Sequence, residues 1–360
     1  RGQPQKGNAP LIPAGATLAG IDTHSGVANQ LMLPAGATKK TVSGKYDEVT
    51  VPPLRLEAPD VELVPLTAFS EVSRRVFSKA SFSTLNRIQS TVFQAAYRSN
   101  ENLLICAPTG AGKTNIALMA VLHEIEQHYE EGGLDANAFK IIYVAPLKAL
   151  AAEMVASFSE KLSVLGVKVR ELTGDMQMTR QEIRETQMIV TTPEKWDVIT
   201  RKVSDDGLVS LVRLLIIDEV HLINEDRGPV IETIVARTLR LVESSQSMIR
   251  LVGLSATLPN YRSVARFLHV NDRSVGAGGL FYFGPEYRPV PLQQTFIGIR
   301  YNDIATKNNL LNDIAFERAL KAIRAGKQAM VFVHSRNDTH KSAERFAMMA
   351  AEQGLASAFA

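Results

Sequence analysis

Leu103-Leu104-Ile105-Cys106-Ala107-Pro108-Thr109-Gly110-Ala111-Gly112-Lys113-Thr114 is an apolar run of strand length that breaks into a glycine-rich turn and ends on Lys-Thr. Helical periodicity follows over 115–126. Strand, glycine turn and helix in that order make a phosphate-binding loop. The glycines let the backbone wrap an anion, and successive N–H groups with the helix N-terminus supply positive potential. In that reading Thr109, Gly110, Ala111 and Gly112 form the cradle, Lys113 neutralises the outer phosphates of a nucleotide, and Thr114 ligates Mg2+. The general pattern has Gly where this chain has Ala107. Gly110 and Gly112 remain. The competing reading is a glycine turn with no ligand, and the strand-loop-helix setting counts against it.

The same rhythm extends outward. Apolar runs at 102–106, 140–144, 187–190, 214–217 and 249–253 each end in a polar cluster and give way to helix-like periodicity. Parallel strands buried on both faces have this signature, so 81–286 is expected to fold as an α/β, doubly wound parallel sheet domain. Ligands of such sheets sit at the carboxyl ends of the strands. Residues 1–80 are rich in Gly, Pro, Ala and Thr, with breakers at Asn8-Ala9-Pro10 and Leu33-Pro34-Ala35-Gly36, and read as an extended N-terminal arm. Within it 46–52 is either a strand, a segment that docks along the domain, or plain linker. Tyr287-Arg288-Pro289-Val290-Pro291 interrupts the rhythm. Beyond it, 287–360 reads as the beginning of a second α/β domain, with strands at 294–299 and 329–333 and a helix at 310–325 between them. Starting on Arg1 and stopping at Ala360 in mid-pattern, the chain reads as a fragment.

A hydrophobic fraction of 45% and a charged fraction of 21% over 360 residues fit a soluble globular protein of two domains. No run approaches the roughly 18 apolar residues of a membrane span, so no membrane partner is expected. A single cysteine, Cys106, gives no internal disulfide, and without a Cys/His cluster no structural zinc is expected. Net charge is only +3, so any nucleic-acid contacts must come from locally placed basic residues.

Two further clusters carry chemistry. Asp218-Glu219-Val220-His221 follows the apolar run Leu214-Leu215-Ile216-Ile217. An aspartate at the end of a buried strand can hold Mg2+ beside a phosphate loop, and the adjacent carboxylate can orient and deprotonate water. An acidic pair there can also be a helix cap, and His221 alone can be a packing histidine. Ser255-Ala256-Thr257 follows 249–253 and carries two hydroxyls that can bond the acidic pair; alone, such a tripeptide is ordinary turn sequence.

Phosphate loop, acidic tetrad and Ser-Ala-Thr, in that order at strand ends, resemble the superfamily-2 helicases. The resemblance makes the domain RecA-like and the second domain the start of another RecA-like fold. It implies that Lys113, Asp218, Glu219 and His221 are catalytic, with Mg2+ on Thr114 and Asp218. Gln89, in Leu85-Asn86-Arg87-Ile88-Gln89-Ser90, resembles the glutamine that reads adenine, which makes ATP the nucleotide; Ser255 and Thr257 would couple the two sites. Ala145-Pro146-Leu147-Lys148-Ala149-Leu150, Thr173-Gly174-Asp175 and Thr191-Thr192-Pro193-Glu194-Lys195-Trp196-Asp197 resemble nucleic-acid-contact motifs. Val331-Phe332-Val333-His334-Ser335-Arg336 resembles the opening of the second domain. Pro146, Lys148, Gly174, Thr192, Pro193, Lys195, Ser335 and Arg336 are thus the candidate nucleic-acid contacts, gripping sugar-phosphate without reading bases. Each could equally be a solvated surface residue. Trp196 could stack on a base but is assigned to the core.

Asp226-Arg227-Gly228-Pro229-Val230-Ile231-Glu232 and Gly253-Leu254-Ser255-Ala256-Thr257-Leu258-Pro259-Asn260 narrow the resemblance to the superkiller-like class and its large two-cassette enzymes. Lys148-Ala149-Leu150-Ala151-Ala152-Glu153-Met154 and Glu171-Leu172-Thr173-Gly174-Asp175-Met176-Gln177 resemble the cointegrator-complex type, N-terminal cassette, rather than the spliceosomal snRNA-unwinding type. That resemblance implies 3′-to-5′ movement on single-stranded RNA (mRNA) or DNA. It also implies a cytoplasmic role, with nuclear as the alternative, in splitting stalled or collided ribosomes through the small subunit in ribosome quality control. Ubiquitin-binding and zinc-finger accessory subunits come with it; DNA unwinding in alkylation repair is the other role the class offers. Two readings of other kinds stand beside it. A silent cassette acting as a scaffold would be expected to have lost one of Lys113, Thr114, Asp218 or Glu219, and all are present. A GTPase switch would want an Asn-Lys-x-Asp sequence, which is missing.

Overall fold

The structure, a computed structural model, describes residues 33–53, 59–130, 133–201 and 207–355. Of the expected arm, residues 1–32 and 54–58 lie outside the described residues. The elements in chain order are β1 (Thr38–Val42), β2 (Tyr46–Val51), α1 (Glu71–Val76), α2 (Arg87–Tyr97), β3 (Leu103–Cys106) and α3 (Lys113–Gln127). A small hairpin, β4 (Tyr129–Glu130) and β5 (Gly133–Leu134), leads to β6 (Lys140–Val144), α4 (Lys148–Leu162), β7 (Val169–Leu172), α5 (Arg180–Glu185), β8 (Met188–Thr191) and α6 (Pro193–Arg201). Then come β9 (Val212–Ile217), a 3-10 turn (Val220–Asn224), α7 (Gly228–Ser245), β10 (Arg250–Ser255), α8 (Tyr261–Phe267) and β11 (Leu280–Tyr282). The chain ends with β12 (Gln294–Ile299), α9 (Ile304–Arg324) and α10 (Arg336–Glu352).

Among the described residues these elements fall into two compact units, one from 59 to 292 and the other 33–53 with 293–355. The first is built on a seven-stranded sheet in the order β11-β3-β10-β9-β6-β8-β7, every pairing parallel. Leu103, Ile105, Ile141, Tyr143 and Val190 join one buried cluster; Leu104, Cys106, Ile142, Ile189 and Leu215 join another. Successive residues of a strand point to opposite faces, so the alternation between clusters shows a sheet covered on both sides. That is why these strands read as unbroken apolar runs. The α/β doubly wound, RecA-like architecture expected from the sequence is the one observed. Arg250 opens β10 with its guanidinium buried against the carbonyl oxygens of Ala95, Ala96 and Glu101, closing the C-terminal end of α2. Burial lowers its pKa to about 10.

In the second unit β1 and β2 form a hairpin, and β2 pairs antiparallel with β12, Tyr46 opposite Ile299. Of the readings open for 46–52, the strand is the one observed. Its apolar alternation is broken by Glu48, which faces inward and accepts from Arg318 on α9. α9 begins at Ile304, earlier than the sequence suggested, capped by Asp303, whose side chain accepts from Thr306 N at 2.8 Å. The expected strand at 329–333 is not formed: Met330 and Phe332 are 79% and 86% exposed. A parallel strand needs neighbours along its edge, and among the described residues none pairs with it.

Candidate active site

Six of the sheet's loops leave the same carboxyl edge, and their order is set by the strand order. After β3, β10 and β9 come the glycine loop, Ser255-Ala256-Thr257 and Asp218-Glu219; after β6, β8 and β7 come Pro146-Leu147-Lys148, Thr192-Pro193 and Thr173-Gly174. With strands spaced about 4.8 Å apart, β3 and β9 end roughly 10 Å from each other, a gap the size of a phosphate chain.

Gly110 and Gly112 hold φ of +80° and +86°, the left-handed region that favours glycine. Gly112 has a second constraint, since a Cβ there would stand 2.5 Å from Gln89 Nε2 and 3.0 Å from Asn86 Nδ2. Both side chains belong to the capping box of α2. Asn86 Oδ1 accepts from Gln89 N at 2.8 Å and Gln89 Oε1 accepts from Asn86 N at 3.1 Å. Their amide nitrogens donate outward, Asn86 Nδ2 to Ala111 O at 3.0 Å and Gln89 Nε2 to Gly112 O at 3.2 Å. Gln89 thus lies against the glycine loop with both ends of its amide bonded. Lys113 opens α3, and its ammonium donates to the carbonyls of Ala107 (3.1 Å) and Pro108 (3.4 Å). Thr114 follows in the first turn, partly exposed, and Thr109 lies exposed on the loop. Ala107 N donates to Ser255 O, tying the loop's first residue to the end of β10. Burial there pushes the Cys106 thiol up to about 12, so it stays protonated and inert.

Asp218 ends β9 with its backbone N donating to Val144 O at 3.0 Å. Its Oδ2 accepts from Tyr143 Oη at 2.8 Å and its Oδ1 from Glu219 N at 3.0 Å. Burial raises its pKa, and the neighbouring Glu219 charge adds to that; the Tyr143 bond and the Lys113 charge pull the other way. Tyr143, fully buried, is raised well above the ordinary phenol by desolvation and then by the Asp218 charge. Glu219 adopts φ +53° and ψ +46°, a left-handed conformation that costs a side-chain-bearing residue about 1–2 kcal/mol. His221 Nδ1 accepts from Ala256 N at 3.3 Å and stands 3.5 Å from Ser255 Oγ. Accepting there puts the ring proton on Nε2. Nδ1 also lies 3.3 Å from Glu219 Oε2, and with no proton between them that buried oxygen has no hydrogen-bond partner. His221 therefore ties the acidic loop to the Ser-Ala-Thr loop. Thr257 is exposed and forms no hydrogen bond among the described residues.

Does this set fit ATP with Mg2+? A half-buried aspartate whose own donors are neutral, an orphaned carboxylate oxygen on Glu219 and an ammonium held only by carbonyls are groups that a polyphosphate and its cation would satisfy. Among the described residues no three His, Cys, Asp or Glu side chains converge as a metal cage. An ion held by Thr114 and Asp218 would draw its other ligands from phosphate and water, as Mg2+ commonly does.

On the other half of the edge, Lys148 is the first residue of α4, exposed. A cation at a helix N-terminus opposes the helix dipole, so nothing local favours it there, whereas an anion would be met by both. Pro193 opens α6, and Thr192 and Pro193 are buried while Lys195 is partly exposed. Lys195 Nζ donates to Met176 O at 2.6 Å, joining α6 to the loop that carries exposed Gly174. Trp196 is 2% exposed and belongs to the core, as expected. Ser335 caps α10, accepting from Asp338 N at 3.1 Å, and Arg336 is exposed in its first turn. These two lie in the second unit. Two residues escaped the sequence reading. Tyr143 looked like one more apolar residue of β6, and Arg227 was only part of a resembling stretch. Arg227 donates to Pro146 O and pairs with Glu194 at 3.2 Å.

A family model described as DEAD/DEAH box helicase matches residues 86–266. The DExH-box ATP-dependent RNA helicase DExH14 of Arabidopsis thaliana is 56% identical over 330 residues, covering 91% of this chain and 15% of that protein. Activating signal cointegrator 1 complex subunit 3 is 54% identical in Danio rerio over 92% of this chain and 21% of that protein. Its Homo sapiens counterpart is 55% identical over 87% of this chain and 14% of that protein. The chain thus spans between 14% and 21% of the length of these relatives. Among solved structures, the DUF1998 helicase MrfA is similar in fold, with a TM-score of 0.58 and 19% identity, over 79% of this chain and 42% of that one.

Proposed function

Because the chain belongs to the DEAD/DEAH box helicase family, we propose that it forms the ATP-binding part of an ATP-dependent helicase that moves 3′ to 5′ on single-stranded RNA. Its main support is the arrangement of the glycine loop, Ser255 and Asp218-Glu219 at the ends of three adjacent parallel strands, beside a second row of loops bearing Lys148, Thr192 and Lys195. In this reading 81–286 is the first RecA-like domain and 287–360 the start of the second, as part of an N-terminal cassette.

The roles follow from chemistry. Gln89 exchanges its bond to Gly112 O for the adenine edge. The loop N–H groups of 109–113 and the Lys113 ammonium bind the phosphates; Thr114 and Asp218 hold the Mg2+ ion, which supplies charge neutralisation at the transferred phosphate. Glu219, held in its left-handed turn with one free oxygen, orients and deprotonates the attacking water. His221 links that turn to Ser255, and Thr257 lies at the mouth of the same loop. Pro146, Lys148, Gly174, Thr192, Pro193 and Lys195 grip the sugar-phosphate; Ser335 and Arg336 are assigned the same chemistry within the second unit. Backbone contacts of this kind are sequence-tolerant.

Likeness to a protein named as a cointegrator complex subunit and to one named as an RNA helicase supports RNA as substrate and membership of a larger assembly. By the same resemblance we assign it to ribosome quality control in the cytoplasm, acting on mRNA at the small subunit with ubiquitin-binding and zinc-finger subunits. The test is ATP hydrolysis by the intact protein with and without single-stranded RNA, and with DNA of the same sequence, beside Glu219→Gln. RNA should stimulate the wild type, and the variant should bind ATP without turning it over. ATP binding with no hydrolysis in the wild type would point to a scaffold cassette, and stimulation by DNA alone would move the substrate to repair.

A further inference from the structure

The carboxyl edge of the sheet divides into two halves. β3, β10 and β9 carry the loops assigned to nucleotide; β6, β8 and β7 carry those assigned to nucleic acid. The border runs between β9 and β6, and the long side chain of Arg227 crosses it to reach the loops on the far side. Arg227 is the N-cap residue of α7, at the end of the loop that begins with Asp218, Glu219 and His221. Its Nη1 donates to Pro146 O in the loop after β6, and its Nε lies 3.2 Å from Glu194 Oε1 in the first turn of α6, after β8. A guanidinium is suited to this, because its planar fork holds two acceptors at once in fixed directions.

The backbone under Arg227 is not free to drift from the acidic loop. Gly228 N donates to Glu225 O at 2.8 Å. A Cβ on Gly228 would meet Ile223 O at 2.0 Å, so the start of α7 lies directly against the 3-10 turn that carries His221. A shift of that turn carries Arg227 with it, and Arg227 carries the 146 and 194 loops. The ion pair is 43% and 48% exposed on its two sides, and pairs this exposed contribute little to stability. Its placement across the border is therefore not explained by holding the fold together.

Resting on the helicase reading of the same loops, we infer that Arg227 is a positioning residue that couples nucleic-acid grip to the geometry of Asp218 and Glu219, with Glu194 as its anchor. It touches neither substrate. It holds the two nucleic-acid loops in one register with the acidic loop, so that occupancy of either side biases the other, reciprocally.

The experiment measures affinity of the intact protein for a single-stranded RNA oligonucleotide with and without a non-hydrolysable ATP analogue. It compares the wild type, Arg227→Ala and Glu194→Gln. The ratio of the two affinities is the coupling factor, commonly about 5–150-fold where two sites communicate. Arg227→Ala should bring that factor to within about twofold of unity while leaving RNA affinity without nucleotide nearly unchanged. Glu194→Gln, on the exposed partner and safe for folding, should lower it part of the way. If Arg227→Ala weakens RNA binding equally in both states and keeps the factor, Arg227 is a phosphate contact and the inference is overturned. If Glu194→Gln keeps the full factor, the anchor is wrong and the inference fails there. A wild type with no coupling factor would instead sink the helicase reading itself, so the two failures are read from different proteins.

Discussion

The Tyr143 hydroxyl on β6 donates a 2.8 Å hydrogen bond to Oδ2 of Asp218, at the end of the neighbouring strand β9. Among the described residues it is the one side-chain donor on a carboxylate that burial otherwise disfavours. Tyr143→Phe keeps the ring and its packing on Phe158, 5.6 Å between centroids, and removes only that donor. Hydrogen bonds to charged groups contribute about 1.5–3 kcal/mol, so urea unfolding should show a loss in that range. The Mg2+ concentration giving half-maximal ATP hydrolysis should change as well. Unchanged unfolding would mean that water replaces the phenol.

Gly112→Ala places a Cβ 2.5 Å from Gln89 Nε2 at a φ of +86°. The loop must open, and with it the bonds that hold its carbonyls to Asn86 and Gln89. Affinity for an ATP analogue, measured by calorimetry, should fall at least tenfold, with overall stability reduced by only about 1–2 kcal/mol. A variant that binds nucleotide normally would show that the loop is not held from α2.

Lys140 is fully buried, its ammonium donating to Thr186 O at 2.6 Å and Arg184 O at 3.0 Å. Burial lowers its pKa from 10.5 to about 8. Between those values the unfolded chain binds more protons at this site than the folded one, so the site's contribution to stability rises with pH. Below about 8 both forms are charged and the cost of burying the charge is carried in full. Unfolding free energy compared between wild type and Lys140→Met should diverge in slope from pH 8 toward 10.5, the wild type climbing more steeply. Parallel slopes would place the ammonium in water.

In the second unit Arg318 is the partner of Glu48, whose side chain is 6% exposed. Arg318→Ala leaves that carboxylate with only the distant Lys40 ammonium, 3.7 Å away and largely solvated. Losing one partner of a buried pair costs about 3–5 kcal/mol, and the partial exposure of Arg318 brings the expected loss to about 1–3 kcal/mol. Hydrogen exchange should accelerate at the amides of β2, and not in the sheet of the first unit.

The parts of the fold that were legible in the sequence are the ones whose physics is local. β6 falls on the apolar run 140–144, and β3, β8, β9 and β10 lie within a few residues of theirs, because a strand covered on both faces must be apolar throughout. β7 was missed: it is an edge strand, its Arg170 and Glu171 half-exposed, so no run forms. β11 has only three residues and follows a glycine cluster. β2 stayed open between strand, docking segment and linker because Glu48, whose counter-charge lies 270 residues away, breaks its apolar alternation. In the site, the glycine loop and acidic pair announced themselves by type and spacing. The bonds of Tyr143 and Arg227 did not, since each depends on which strands are neighbours.

Lys113 donates to two carbonyls of its own loop, Ala107 O and Pro108 O. A phosphate that takes this ammonium therefore exchanges bonds rather than adding them, and the net enthalpy is that of a strong ionic acceptor less that of two neutral ones. The difference favours ligands carrying several negative charges at the right depth. A nucleoside or monophosphate gains little from displacing two adequate partners, whereas a triphosphate gains much. On the proposed nucleotide-binding reading, discrimination by phosphate number would follow from the resting bonds of the loop, before any contact with the base is made.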